Sequence, residues 1–300
     1  MSLRSRGCTF RAELTGLAWI SPWLIGFALF LLLPIVLSGY LSFCEFNGLR
    51  RPVFTGWENV RALLSDQLFW QALKNTALYA AVALPAGTLI ALLLAVLLNV
   101  RVPGRTLWRA LIFVPTVVPL VAVAIVWMWM YNSRFGLVNT ALGWIGITGP
   151  NWLSDARWTM PSMILLSFWS VGNAVVIYLA GLQDVPRSLY EAAHVDGAGP
   201  VQRLCHVTLP MISPAIFFNV VLGIIFVWQV FAVPYIMIPN GGPGQNAYFY
   251  TMYLYDVAFL HQRFGYACLL SWIQLGIILL LTALAFRLSR NLVHYRGGLR

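Results

Sequence analysis

The sequence predicts an all-α, polytopic membrane protein with six transmembrane helices. Of its 300 residues, 60% are hydrophobic and 9% are charged, whereas about a quarter of the residues in a soluble domain carry a charge. The mean hydropathy is +0.78. The apolar residues form runs of about 20, the length of a helix that crosses the hydrocarbon core, while barrel strands are about half as long and alternate. The chain is therefore predicted to cross the membrane as helices.

Six apolar runs are long enough to be spans, and none of them contains Lys or Arg. We place them at residues 17–37, 77–98, 110–130, 160–182, 214–238 and 266–284. A polar loop at residues 38–76, with a short helix at 57–64, separates the first two. We expect residues 1–76 to form an N-terminal tail, a peripheral span and an outer loop, and residues 77–300 to form a five-helix core.

The distribution of Lys and Arg predicts the orientation of the chain. With both termini in the cytoplasm, the inner segments hold twelve of these cations and the longer outer loops hold seven. The net charge of +10 does not indicate nucleic-acid binding, because the cations are scattered through loops. The four cysteines form no CxxC pair and predict neither a disulfide nor a zinc site.

The polar stretch at about residues 184–213, between the fourth and fifth spans, then faces the cytoplasm. Pro186 suits the first position of a helix, and Arg187–Val195 continues it with good helix formers. Gly197 can take the positive φ that ends a helix. A second short helix is expected at residues 201–207. The stretch is predicted to be a helix–turn–helix bracket.

This stretch carries a spaced motif. Glu191, Ala192 and Ala193 are followed by Gly197 after three residues, by Val207 after nine more, and then by Leu209 and Pro210. The pattern resembles the EAA loop of binding-protein-dependent ABC importer permeases, EAA-x3-G-x9-I-x-L-P, with Val207 in place of Ile. Other stretches are similar to the maltose-transporter-like permeases of carbohydrate uptake, in particular the first of the two unlike permeases: FNG at 46–48, GWENVRALLSD at 56–66, FWQALKNT at 69–76, FVPTVVP at 113–119, GLVN at 136–139, NGGPG at 240–244 and FGYA at 264–267.

The resemblance implies a type I ABC importer permease fold in the bacterial inner membrane. It implies as partners a second permease subunit, two copies of an ABC ATPase, an extracytoplasmic solute-binding protein and membrane lipid, with no nucleic acid. ATP and Mg would bind the ATPase subunits, and this chain would bind no cofactor or metal. The glycine-rich residues 240–244 lack the GK[ST] of a phosphate loop, so no ATP hydrolysis and no catalytic residue is predicted here.

In such permeases the EAA loop forms a coupling helix that docks in a groove of the ATPase. Glu191 would pair with an ATPase arginine, Ala192 and Ala193 would allow close packing, and Gly197 would form the turn. The candidate coupling residues are Glu191, Ala192, Ala193, Asp196, Gly197, Leu209 and Pro210. His194 and His206 lie twelve residues apart without a metal-binding pattern and are interpreted as surface or packing residues.

Polar side chains inside spans are costly and mark either a transport path or contacts between helices. The candidates for a path are Asn173, Gln229 and Tyr235, with Gln274, Trp169 and Phe231 near them. Amides and aromatic faces suit a sugar, so we predict import of a mono- or oligosaccharide by alternating access. A polyol or glycerol-phosphate importer is the alternative, and phosphate would call for a cation in the pore. A membrane-embedded enzyme or a lone channel fits less well, because the spans lack paired acids and a pore motif.

The outer surface offers a further set of residues. Asp256, Arg263 and the aromatic run at residues 248–255 are expected to face outward. They would either touch the binding protein or form a solvated interfacial loop.

Overall fold

The computed structural model describes residues 4–100 and 103–292, and most of that length is helical. Three of the cations counted for orientation, Arg101, Arg296 and Arg300, lie outside the described residues. The helices are α1 Arg4–Phe27, α2 Leu33–Leu41, α3 Glu58–Leu64, α4 Gln67–Asn99, α5 Arg105–Val117, α6 Leu120–Met130, α7 Leu137–Trp144, α8 Thr159–Ser167, α9 Gly172–Gln183, α10 Arg187–Val195, α11 Pro200–Arg203, α12 Leu209–Trp228, α13 Ala232–Met237, α14 Tyr250–Tyr255 and α15 Phe264–Leu292. The strands β1 Cys44–Glu45 and β2 Val53–Phe54 pair antiparallel.

Four helical segments in the described part of the chain are long and apolar enough to cross a membrane. They are Thr15–Leu41, Gln67–Asn99, Pro200–Met237 and Phe264–Ser289. Two bent pairs, α5 with α6 and Thr159–Ser170 with α9, raise the number to six if each pair is one span. The prediction of an all-α membrane protein is confirmed, and each of the six predicted spans corresponds to one of these segments.

The third predicted span is not one straight helix, because α5 and α6 meet at 103°. Pro119 removes a backbone donor and restricts Val118 to an extended conformation, which ends α5. The helix also begins five residues earlier than predicted, at Arg105. It therefore contains Arg105 and Arg109, which precede the predicted span at residues 110–130.

The fifth predicted span is broken near its outer end. α12 ends at Trp228, and the chain resumes a helix only at α13. Pro234 explains the break, because it cannot donate to the carbonyl of Val230 and its ring crowds that position. The carbonyl of Trp228 is satisfied by Gln274, whose Nε2 donates to it at 2.6 Å. Gln274 therefore links α15 to α12. A contact between helices was the alternative to a place in the substrate path.

The chain divides into two compact units, residues 1–65 with 254–273 and residues 66–253 with 274–300. In the first unit the β1–β2 hairpin is held by Asn59, whose Nδ2 donates to the carbonyls of Ser42 at 2.9 Å and Cys44 at 3.0 Å. The second unit contains every candidate site residue. The predicted division between residues 76 and 77 stays a prediction.

In the second unit α4 is the central helix and packs against α8, α9 and α12. Its small residues Ala91 and Ala95 are completely buried against Tyr178 and Leu179 of α9. Small side chains let helices approach closely in a membrane, where packing rather than the hydrophobic effect drives association. The buried core of this unit therefore lies along α4.

The glycine-rich residues 240–244 form a loop that is tied to the first turns of α4. Gln71 Nε2 donates to the carbonyl of Gly244 at 2.9 Å. Asn75 Nδ2 donates to the carbonyls of Gln245 at 2.8 Å and Tyr248 at 3.1 Å. Two stretches that are far apart in the sequence, at residues 69–76 and 240–244, thus form one structural unit.

The aromatic run at residues 248–255 does not face outward as expected. Tyr248, Phe249, Tyr250 and Tyr253 are all buried. The Tyr253 hydroxyl donates to the carboxylate of Asp66, which also caps α4, and the amide of Tyr250 donates to Oγ1 of Thr76 at 2.8 Å.

Outside that run, Asp256 is buried as well, so the expectation that it faces outward was also wrong. Arg263 is exposed, with its guanidinium 4.6 Å from the centre of the Tyr266 ring.

Candidate functional site

The helix α10 spans Arg187–Val195 and ends where predicted. It begins one residue later than predicted, because Pro186 occupies the N-cap position instead of the first helical position. Glu191 and Ala192 are exposed on its surface, and Ala193 is half-buried. The helix thus presents one carboxylate beside a small residue, with no bulky side chain between them.

A Schellman motif closes α10. The amide of Gly197 donates to the carbonyl of His194 at 3.1 Å, and the amide of Ala198 donates to the carbonyl of Ala193 at 2.9 Å. Gly197 has a φ of 76°, the left-handed conformation that this motif requires. The predicted turn at Gly197 is confirmed, and Asp196 lies exposed just before it.

The second short helix is not a separate element. α11 passes into a π turn, Leu204–Thr208, and then directly into α12. Pro210 has no N–H for the α-helical bond and its ring would crowd the preceding turn. The wider π turn, in which the amide of Leu209 donates to the carbonyl of Leu204, relieves this conflict without ending the helix. Leu209 and Pro210 are half-buried at this junction, so α11 is continuous with the fifth span.

The coupling segment, residues 184–213, is tied to the helix core by side chains that the sequence did not reveal. The hydroxyls of Tyr190 and Thr208 lie 3.0 Å apart, and Thr208 also donates to the carbonyl of Arg203 at 3.2 Å. Val185 and Ile212, at its two ends, are buried in the core with α4 and α9. Because Tyr190 and Thr208 meet only when α11 folds back over α10, no local sequence signal identifies this pair.

The coupling segment exposes apolar side chains. Val195 is 86% exposed and Val201 is 72% exposed. Both valines lie on the segment that carries the exposed carboxylate of Glu191. Among the described residues, no group of three His, Cys, Asp or Glu side chains is placed to hold a metal ion. His206 instead has its Nδ1 3.0 Å from the carbonyl of Gln202.

Asn173, the first candidate for the substrate path, is exposed on α9. It lies ten residues from Gln183, or about 15 Å along the helix, which is about half the thickness of the hydrocarbon core. Trp169, one turn away on the same face, is 40% exposed, and its ring meets that of Trp127 edge to face at 5.6 Å. An amide and an aromatic surface thus lie together near the middle of the fourth span.

Gln229 and Tyr235, the other two candidates, lie on either side of the break between α12 and α13. Gln229 is exposed and caps the end of α12. Tyr235 is half-buried, and its ring packs on that of Phe231 with the centres 4.9 Å apart. Broken helices in transporters expose backbone carbonyls beside a ligand. Gln229 and Tyr235 thus lie beside backbone groups that a continuous helix would use in its own hydrogen bonds.

Several permease proteins of transport systems are similar to the chain over nearly its whole length. It is 37% identical to the "Probable ABC transporter permease protein YesP" of Bacillus subtilis over 95% of this chain and 93% of that protein. It is 34% identical to the "Lactose transport system permease protein LacF" of Rhizobium radiobacter, over 93% of this chain and 95% of that protein. It is 30% identical to the "Sulfoquinovosyl glycerol transport system permease protein SmoG" of Agrobacterium fabrum, over 91% and 89%.

The fold also matches a solved structure. A chain of a bacterial ABC transporter involved in the import of the acidic polysaccharide alginate superposes with a TM-score of 0.80 at 24% identity, covering 97% of this chain and 100% of that chain. The predicted permease fold is therefore confirmed. The family model "Binding-protein-dependent transport system inner membrane component" matches residues 83–296. This chain belongs to that family of inner membrane transport components.

Proposed function

We propose that this chain is one permease subunit of an ATP-driven importer that carries a mono- or oligosaccharide across the inner membrane by alternating access. The observation that carries the proposal is the coupling segment: a short helix that exposes Glu191, ends in a left-handed turn at Gly197 and runs without a break into a span. Two relatives at least 30% identical are named for the transport of lactose and of sulfoquinovosyl glycerol, which supports a sugar as the cargo.

The complete transporter in this proposal contains a second permease subunit, two copies of an ABC ATPase and an extracytoplasmic solute-binding protein. ATP and Mg bind the ATPase subunits, and both termini of this chain lie in the cytoplasm. Two features support the need for partners. Val195 and Val201 are exposed on the coupling segment, and no residue of the apolar helix α5 is buried by the chain itself.

Glu191 pairs with an arginine of the ATPase in this mechanism. An exposed ion pair contributes only about 0–1 kcal/mol, so the pair fixes the register of docking more than its affinity. Ala192 and Ala193 allow the ATPase surface to approach the helix. When ATP draws the ATPase subunits together, the displacement passes through the Tyr190–Thr208 contact and the π turn into α12.

The sugar meets amides and aromatic rings along its path. Asn173 provides a donor and an acceptor for hydroxyl groups, and Trp169 provides an exposed aromatic face one turn away. Gln229 and Tyr235 contribute the same two kinds of group at the break between α12 and α13. A neutral polyhydroxylated ligand is bound by such groups without the need for a charge.

Uptake of radiolabelled sugars into proteoliposomes containing the complete transporter and its binding protein tests the proposal. One or a few sugars should accumulate only with ATP, and Glu191→Ala should abolish this accumulation while the complex stays assembled. Glu58→Ala is the matched control, because it removes an exposed glutamate from α3 on the predicted outer side. Accumulation without ATP would indicate a channel, and no accumulation of any sugar by an intact complex would refute the proposal.

A further inference from the structure

A groove of about 240 Å³ lies between α5 and α9. Its walls are mainly apolar and include Leu98, Ile112 and Leu179. The polar side chains that line it are Arg109 and Gln183. The groove thus holds a single cation among mainly apolar walls, next to the start of the third predicted span.

The guanidinium of Arg109 is incompletely satisfied. Its Nε and Nη2 atoms are buried and have no hydrogen-bond partner among the described residues. Arginine cannot lose its proton to escape this situation, so it stays charged at any physiological pH. A half-buried guanidinium with unsatisfied N–H groups is stabilised most by a planar or tetrahedral anion, which can accept two parallel hydrogen bonds. The groove is therefore suited to an anionic group from outside this chain.

The groove lies next to the candidate substrate path. α5 crosses α9 at Gly172, where an added Cβ would lie 2.4 Å from the carbonyl oxygen of Ile112. Arg109 precedes Ile112 by three residues, which is about 5 Å along the helix. Asn173 follows Gly172 directly. Arg109 is thus about one turn further towards the predicted cytoplasmic side than Asn173.

The surface of α9 connects the two positions. Val176 and Ala180, both exposed, follow Asn173 on one face at helical spacing, and both line the groove. A ligand that leaves Asn173 towards the cytoplasm along this face meets Arg109.

We propose that the groove binds the anionic group of an acidic sugar, such as a carboxylate, sulfonate or phosphate, through Arg109. This inference rests on the proposed function and narrows its substrate to sugars that carry a negative charge. The sugar ring contacts Asn173 and Trp169, while the anionic group pairs with the guanidinium of Arg109 at the wall of the groove. A glycerol-phosphate importer was expected to need a cation in its pore. Arg109 in α5 is such a cation, and it lies beside the candidate substrate path.

Arg105 provides a matched control for this site. It lies one turn before Arg109 on the same helix, carries the same charge and is exposed. Arg105→Gln therefore removes one positive charge from α5, as Arg109→Gln does, but it leaves the lining of the groove unchanged. Arg109→Lys is a second variant that keeps the charge and loses the paired geometry.

The experiment measures ATP-dependent uptake by proteoliposomes of the complete transporter with its binding protein. The labelled panel contains neutral disaccharides, the disaccharides that carry a uronic acid, hexose phosphates and a sugar sulfonate. We expect uptake of an acidic sugar, a decrease of about tenfold or more in Arg109→Gln, and a partial decrease in Arg109→Lys. Arg105→Gln should transport this sugar at the wild-type rate.

Three results would overturn the inference, and they differ in what they say about the proposed function. Uptake of neutral sugars alone, at the same rate in Arg109→Gln and the wild type, would agree with the proposed sugar importer. It would contradict the inference that the substrate is anionic. Loss of the second permease subunit from purified Arg109→Gln complexes would assign the groove to a subunit contact. No uptake of any sugar by an intact complex would refute the proposed function together with this inference.

Discussion

Replacing Gly197 by valine should weaken the turn that closes α10 without unfolding the spans. The φ of 76° at Gly197 costs a residue with a Cβ about 1–2 kcal/mol, and a β-branched residue is a marked outlier there. No heavy atom lies within 4 Å of an added Cβ, so a steric clash within the chain adds nothing. A loss of about 1–2 kcal/mol lowers the ratio of the native turn to its open forms by a factor of roughly 5–30.

The consequences are measured in two ways. Hydrogen exchange at the amides of residues 197 and 198 should become faster, because both donate in the Schellman motif. Sugar-stimulated ATP hydrolysis by the reconstituted transporter should fall, while thermal unfolding of the spans stays nearly unchanged. Gly197→Asn is the matched control, because asparagine tolerates the left-handed conformation better than other residues with a Cβ.

Two outcomes would refute this reasoning. Normal exchange and normal ATP hydrolysis in Gly197→Val would mean that the left-handed turn is not required. Equal damage in Gly197→Asn would mean that a side chain at this position is rejected for its size, by a partner surface, and not for its φ.

Three further substitutions test contacts within the second unit through the melting temperature of the purified permease. Tyr190→Phe removes the hydroxyl that meets Thr208 and should cost about 1 kcal/mol, with weaker sugar-stimulated ATP hydrolysis. Asn75→Asp replaces a donor to two carbonyls by a carboxylate and should destabilise the unit by about 2 kcal/mol or more. Gln274→Leu leaves the carbonyl of Trp228 without this donor and should cost about 1–3 kcal/mol.

Each of these has its own control. Thr208→Val should cost more than Tyr190→Phe, because it also removes the hydrogen bond to the carbonyl of Arg203. The double variant should cost less than the sum of the two, because both substitutions remove the Tyr190–Thr208 contact. Additive losses would argue against that contact. An unchanged melting temperature in Asn75→Asp would mean that Asn75 does not hold the glycine-rich loop against α4. An unchanged melting temperature in Gln274→Leu would mean that the carbonyl of Trp228 does not need the amide of Gln274.

The coupling segment was the most predictable part of the molecule. The bounds of α10 and the turn at Gly197 follow from local signals, since proline and glycine restrict or free the backbone at their own positions. The limit of such signals appears at Pro210. A proline before a span was expected to separate two helices, but a π turn absorbs it and the helix continues.

The breaks in the third and fifth spans could not be predicted from hydropathy. A hydropathy window measures only composition and does not report whether the backbone is continuous. It therefore could not predict the 103° bend after Val117. The carbonyl of Trp228 at the second break is satisfied by Gln274, which lies 46 residues away. The burial of residues 248–253 was missed for the same reason, because the groups that satisfy these tyrosines come from the distant N-terminal end of α4.

In the proposed mechanism the coupling segment links ATP hydrolysis to transport. This link is tested by the ATPase rate of the reconstituted transporter with and without its sugar-loaded binding protein. In the wild type we expect clear stimulation by the transported sugar. In Glu191→Ala we expect assembled complexes that hydrolyse ATP at the same rate with and without the sugar. Equal stimulation in Glu191→Ala and the wild type would contradict this mechanism and remove Glu191 from the coupling path.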